Sequence, residues 1–424
     1  MRLFQNKITI FFLLQAIVLV AYNNLMSTPI WLPLDLEILY DAHILNMNPG
    51  IMLGNIGMVF SQPLLQIMFL LEYKVFGIDP TGYIAINLIL HGFNSFIVFM
   101  LVNMLFPNRK MALLASVLFA LSVGHYGKQY MSLAGQEPLL MASLHLLVLY
   151  CLIRNDIKCS GKLLSRWFIL GLTLFVVAGL TKPQLFSIMA CLLAYKFLFF
   201  KARGRRAIFS NDLVILMWTG VLFYIFQLFF GWRDSPIGFQ HDSVFSLTWL
   251  FIKNIFRYLN LMVFPLQPSE VLYSNNIVLQ FVYEWRTLIR TLVSLSTISF
   301  SFFGLVFGSS SLRFFIAWTV LTLVPFAGIE INGSWLNVQY LYLGAVGFCV
   351  ILSSGTMGCF GLLQQHRWKR FIMLLPIICY VLITYKITTL MNYRHIHTAQ
   401  NSKILLQKSE LERVIYTPPN NNSE

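Results

Sequence analysis

Five of the chain's 16 acidic residues, Asp35, Glu37, Asp41, Glu72 and Asp79, fall together with His43 between an apolar stretch at 8–26 and the next at about 83–105. A carboxylate positioned against a hydroxyl can take its proton, which is the work of a general base. Carboxylates gathered beside segments long enough to lie on a bilayer point to chemistry at the membrane face, on something the membrane delivers. The plainer alternative is a solvated loop that is merely acidic.

The elements that would hold this loop follow from composition. The 424 residues are 58% hydrophobic and 11% charged, with a mean hydropathy of +0.71. Too few polar side chains remain to cover a soluble core, so the chain reads as a polytopic membrane protein. A helix crosses the hydrocarbon layer with roughly 20 apolar residues. Eleven stretches qualify, at about 8–26, 83–105, 111–125, 137–153, 167–181, 184–200, 213–231, 286–308, 312–328, 340–362 and 371–390.

The net charge of +14 is topogenic, with no nucleic-acid partner implied. Alternating the spans from an inside N-terminus puts Arg109, Lys110, Arg154, Lys158, Lys201, Arg203, Arg205, Arg206, Arg367, Lys369 and Arg370 on the inner side. Of the acids, only Asp156 and Asp212 then lie inside. The stretch at 246–266 is long enough to span, but Lys253, Arg257 and Asn260 share one helical face while Trp249, Ile252, Phe256, Leu259 and Val263 are apolar. It is predicted to lie at the interface. A second interfacial helix is predicted from Pro63 to Phe76, with Ser61 as its N-cap. The expected fold is all-α: about eleven transmembrane helices plus outer interfacial helices in one domain over 1–390, then a short polar tail over 391–424.

The six cysteines fall in spans or on the inner side, so no disulfide framework is implied. The first apolar run lacks a small-residue cleavage site and reads as a retained span. P-loop, GxGxxG, HExxH and paired CxxC motifs are all missing, which leaves no motif for a nucleotide or zinc site. The triplets NGS at 332–334 and NNS at 421–423 are formal glycosylation sequons on the outer side.

Several segments, in order, resemble the C-type membrane glycosyltransferases: FSQPLLQIMFLLEYKVFGIDPTGYIAINLILH (60–91), RKMALLASVLFALSVGH (109–125), LAGQEPLL (133–140), GLTKPQLF (179–186), FRYLNLMVFPL (256–266) and VQYLYLGAVGF (338–348). The branch they resemble contains the transmembrane O-mannosyltransferases with appended tetratricopeptide repeats. The resemblance implies an inverting enzyme, in the bacterial inner membrane or the endoplasmic reticulum. It would move a sugar such as mannose from a polyprenyl phosphate to an acceptor hydroxyl of a protein or glycan on the outer face. No cofactor is predicted, although a divalent metal is compatible with the chemistry.

Carried over by position, YDAHILNMNP (40–49) resembles the family's acidic pair followed by Asn-Pro, with Asp41 filling one place and Tyr40 or Ala42 the other. Asp41 is the leading candidate for the base, with Asp35 or Glu37 as substitutes. His125 and Glu137 stand in the family's polar second outer loop, where Ser122, Gly127 and Gln136 depart from the pattern. Lys182, followed here by Pro183 where the family has an acid, and Arg257 are candidates to meet the donor phosphate. Their plainer readings are a snorkelling lysine and an interfacial arginine. Gln62, Val338 and Gln339 replace charges usual in the family. His91 keeps a family position that packing explains equally well. The competing reading is a non-catalytic or transport-type membrane protein on the same scaffold, for which Lys196 and His145 are the deep polar candidates.

Overall fold

The computed structural model describes residues 6–27, 33–48, 63–121, 132–179, 185–200, 210–230, 244–263, 284–327 and 340–362. They form α1 (Lys7–Ser27), α2 (Pro33–Met47), α3 (Pro63–Phe76), α4 (Pro80–Leu105), α5 (Arg109–Leu121), α6 (Gln136–Cys159, entered through a 3₁₀ turn at Leu133–Gly135), α7 (Arg166–Gly179), α8 (Leu185–Phe200) and α9 (Asn211–Phe230). Then follow α10 (Val244–Val263), α11 (Arg286–Phe307), α12 (Ser310–Leu321), the single turn α13 (Val324–Ala327) and α14 (Leu341–Leu362). The fold is all-helical, as expected.

Each expected span from 8–26 to 340–362 meets a helix, and 371–390 lies outside the described residues. Among the described residues, Pro80–Leu105, Leu133–Cys159, Ser310–Ala327 and Leu341–Gly361 are each long and apolar enough to cross a membrane. Shorter apolar helices stand beside them, including Lys7–Asn23, Arg166–Gly179 and Thr291–Phe307. The molecule is an integral membrane protein. With no water in hydrocarbon to satisfy peptide groups, helices are the form such segments must take.

The bundle centres on α4, which packs against α1, α5 and α6, while α14 packs on α12 and α5. At Gly347 an added Cβ would fall on Phe315 O and Thr319 Oγ1, so α12 and α14 approach closely because that residue is glycine. Polar residues in the spans are spaced to meet one another. Asn87, His91 and Asn94 line one face of α4, all fully buried. His91 joins Tyr342 Oη at 2.8 Å and Ala120 O at 3.1 Å. Asn94 donates to Leu139 O and Tyr342 Oη and accepts from Ser143 Oγ at 2.6 Å. Tyr22 Oη also donates to Ala120 O. This network ties α1, α4, α5, α6 and α14 together and gives His91 its packing role. His145 packs edge-on against Trp318, with Ser187 Oγ 3.5 Å from its Nδ1.

The far end of the bundle carries an ion cluster. Lys196 Nζ lies 2.7 Å from Asp156 Oδ1 and 2.9 Å from Asp212 Oδ2, all three side chains nearly fully buried. Asp156 sits near the end of α6, Lys196 near the end of α8 and Asp212 at the start of α9. The two acids assigned to the inner side are thus the partners of one lysine, and Lys196 acts as a clamp between three helix ends. Removing one member of such a group strands buried charge, at a cost of about 3–5 kcal/mol. Lys196→Gln should therefore lower the thermal midpoint of the purified protein in detergent, and Lys196→Gln combined with Asp156→Asn and Asp212→Asn should recover much of the loss.

Candidate active site

The end of the bundle that the charge pattern assigns to the outside is built on the turn at 132–136. Two helices of the acidic loop grip it. α2 and α3 pack together over a small core of Leu36, Leu39, Ala42, Leu65, Phe69, Tyr83 and Leu133. On α2, Asp35 falls on the buried stripe with Leu39 and Ala42, at spacings of four and three, and is itself 0% exposed. Its carboxylate accepts from Ser132 Oγ at 2.7 Å and from Ala134 N at 3.3 Å. Asp35 therefore holds α2 to the turn that opens α6.

α3 makes the second attachment. Glu72 shares a stripe with Leu65 and Phe69 and is buried. Gln136 Nε2 donates to Glu72 Oε2 at 2.9 Å and is 3.4 Å from Tyr83 O. Among the described residues Glu72 Oε1 and Gln136 Oε1 have no hydrogen-bond partner. Burial, offset in part by the Gln136 bond, raises the Glu72 carboxyl from an ordinary 4.5 to about 7. The junction to α4 is fixed by Gly77, whose φ of +56° suits a glycine. It is fixed further by Tyr83 Oη donating to Gly77 O at 2.8 Å, and by Asp79, which caps α4 by accepting from Thr81 N at 3.0 Å. Asn87 Nδ2 donates to Ser132 O at 2.9 Å, so the turn is bound from α4 as well.

The loop's acids thus divide by role. Asp79 is a helix cap, Asp35 and Glu72 are buried anchors, and Asp41 stands exposed on α2 beside the exposed Tyr40. Six positions along a helix of 3.6 residues per turn carry Asp41 well round from Asp35, so the two carboxylates do not share a face. Glu37 lies on the α2 backbone, and its side chain is outside the described residues. His43 Nδ1 is 3.0 Å from Tyr73 Oη, a polar contact linking α2 to α3. Glu137 stands in the first turn of α6, half-buried, where the helix dipole favours an acid. Arg257 is exposed on α10, which packs against α13, α14 and α11. His125, Lys182 and Ser61 lie outside the described residues. Among the described residues no group of three or more His, Cys, Asp or Glu is placed to hold a metal ion.

The anchoring role of Asp35 and Glu72 has a signal in the sequence, because each continues an apolar i, i+4, i+7 stripe. Asp41 falls off that stripe. An acid on the core face of a loop helix needs donors from another element, and the 132–136 turn supplies them.

No family model and no curated protein sequence matches the chain. Among solved structures, it is similar to the Archaeoglobus fulgidus oligosaccharyltransferase, crystallised tethered through a disulfide bond with an acceptor peptide containing the NVT sequon. The TM-score is 0.52 at 14% identity, covering 91% of this chain and 55% of that one. At this identity the likeness is one of fold. The chain spans about half the length of that oligosaccharyltransferase.

The raised Glu72 pKa makes stability depend on pH. A carboxyl that binds its proton more tightly folded than unfolded costs nothing below its unfolded value of 4.5, and its penalty grows until pH passes about 7. Glu72→Gln keeps the shape and removes the ionisation. The variant should match the wild type near pH 4.5 and exceed it at pH 8 by about 2–3 kcal/mol at most. Thermal unfolding in detergent across that range checks this.

Proposed function

We propose that this chain is a membrane glycosyltransferase that moves a sugar from a polyprenyl-phosphate donor to an acceptor hydroxyl on the outer face, with inversion. The observation that carries the reading is the assembly at the outer end. Two loop helices are anchored by buried carboxyls to the first turn of a span, leaving another carboxylate, Asp41, exposed beside the membrane. It occurs in a fold shared with an oligosaccharyltransferase, a membrane glycosyltransferase of the C type. That protein's tethered acceptor peptide supports a protein acceptor here too.

In this reading Asp41 takes the proton of the acceptor hydroxyl as its oxygen bonds to the sugar's anomeric carbon. The bond from that carbon to the phosphate breaks on the opposite face, and the polyprenyl phosphate leaves with the electron pair. One base and one departing phosphate suffice, so the configuration inverts without an enzyme nucleophile. Cations at the membrane boundary stabilise the growing phosphate charge, a role that suits Lys182. Glu137 and His125, from the adjoining outer segment, suit contacts to the sugar. Asp35 serves as a positioning residue, keeping α2 in register with α6.

Asp41→Asn should lower turnover about a hundredfold or more, the usual scale for a general base, while leaving expression and lipid binding largely intact. Asp35→Asn should instead lower the midpoint along with activity. The assay is transfer of a radiolabelled sugar from polyprenyl phosphate to an acceptor by the reconstituted protein. Full activity in Asp41→Asn would remove the base assignment, and a wild type that transfers nothing would leave the non-catalytic scaffold as the better description.

A further inference from the structure

The underside of α10 is seated and its outer side is not. Asn254 Nδ2 donates to Ala327 O at 2.9 Å, Tyr258 meets the Tyr340 ring at 6.3 Å between centroids, and Met262 lies against Gly344. These contacts set α10 level with the ends of α13 and α14, where the spans meet the outer boundary. Lys253 and Arg257 directly precede Asn254 and Tyr258 in sequence, so both cations stand at that level.

The exposed side has two flanks. Trp249, Ile252 and Phe256 form one, with Trp249 61% and Phe256 68% exposed. Lys253 and Arg257 form the other, four residues apart and both exposed, which puts their stems about 5–6 Å from each other. The sequence of α10 contains no acid, and neither do α11, α13 and α14, the helices packed on it, although Glu284 comes just before α11. Among the described residues neither cation is in an ion pair. No described residue supplies their counter-charge.

We propose that this face of α10 is a docking surface for anionic phospholipid headgroups of the surrounding membrane. Phosphates lie across Lys253 and Arg257, and the acyl chains beneath them pack on Trp249, Ile252 and Phe256. An aromatic flank beside a basic one is what an interfacial helix presents to a charged leaflet. The surface is open to the bilayer along three side chains, which suits bulk lipid. It goes beyond the transfer reaction, since it would orient the helix against the membrane whether or not sugar is being moved.

Delipidated full-length protein is offered phosphatidylglycerol, phosphatidylcholine or polyprenyl phosphate, and retained lipid is counted by native mass spectrometry. Wild type should retain phosphatidylglycerol over phosphatidylcholine. In Lys253→Gln/Arg257→Gln that retention should fall about tenfold or more, while Lys253→Arg/Arg257→Lys should keep it. Undiminished phosphatidylglycerol retention in the Gln pair overturns the proposal. So does a wild type whose Lys253- and Arg257-dependent retention is confined to polyprenyl phosphate, which would make the surface part of the donor site. The first result does not bear on sugar transfer, and the second would return Arg257 to the donor phosphate.

Discussion

The end of the bundle that carries the 132–136 turn depends on the Asp35 carboxylate bonded to Ser132 Oγ and Ala134 N. The chain leaves helical geometry there before α6 begins, and peptide groups at the edge of hydrocarbon cannot rely on water. A buried, ionisable side chain 97 residues away from Ser132 in sequence supplies acceptors to that turn. Because the same side chain sits on the core stripe of α2, satisfying the turn also fixes where α2 lies. Glu72 repeats the arrangement from α3 through Gln136. The two loop helices are therefore pinned to one five-residue segment, and whatever they present to the membrane is presented in a set register.

Much of this was legible in the sequence. Apolar runs gave the helices, and Pro63 and Phe76 bound α3 as the periodicity and the proline suggest. The run at 246–266 reads as a helix, and α10 forms there, with Lys253 and Arg257 both exposed on it. The roles of individual acids were harder to read. Asp35 and Asp41 are alike as residue types, and a count of carboxylates in the loop treats them as equals. Packing separates them, because Asp35 continues the Leu39 and Ala42 stripe and Asp41 does not. That distinction takes on meaning only once Ser132 and Ala134 arrive from a distant part of the chain.

Lys196 shows the same limit in a different form. As a lone lysine in an apolar run it suggests transport. With Asp156 and Asp212 beside it, each within hydrogen-bonding distance, it bridges two carboxylates at the far end. The buried polar residues thus sort along the bundle into three sets. An ion cluster closes one end, a hydrogen-bonded network through His91, Asn94 and Tyr342 joins the middle, and the anchored carboxyls shape the other end. The proposed chemistry belongs at the last because Asp41 is exposed on the helix that Asp35 anchors there.

The central claim is that this outer end works on a sugar carried by a polyprenyl phosphate. The most direct measurement is identification, by mass spectrometry, of the lipid-linked sugar that co-purifies with the protein extracted gently from its native membrane. The account predicts a polyprenyl-phosphate sugar at close to one per chain, released when the protein is incubated with acceptor. Protein that carries no such lipid, and that neither binds nor consumes any polyprenyl-phosphate sugar when it is supplied, would contradict it.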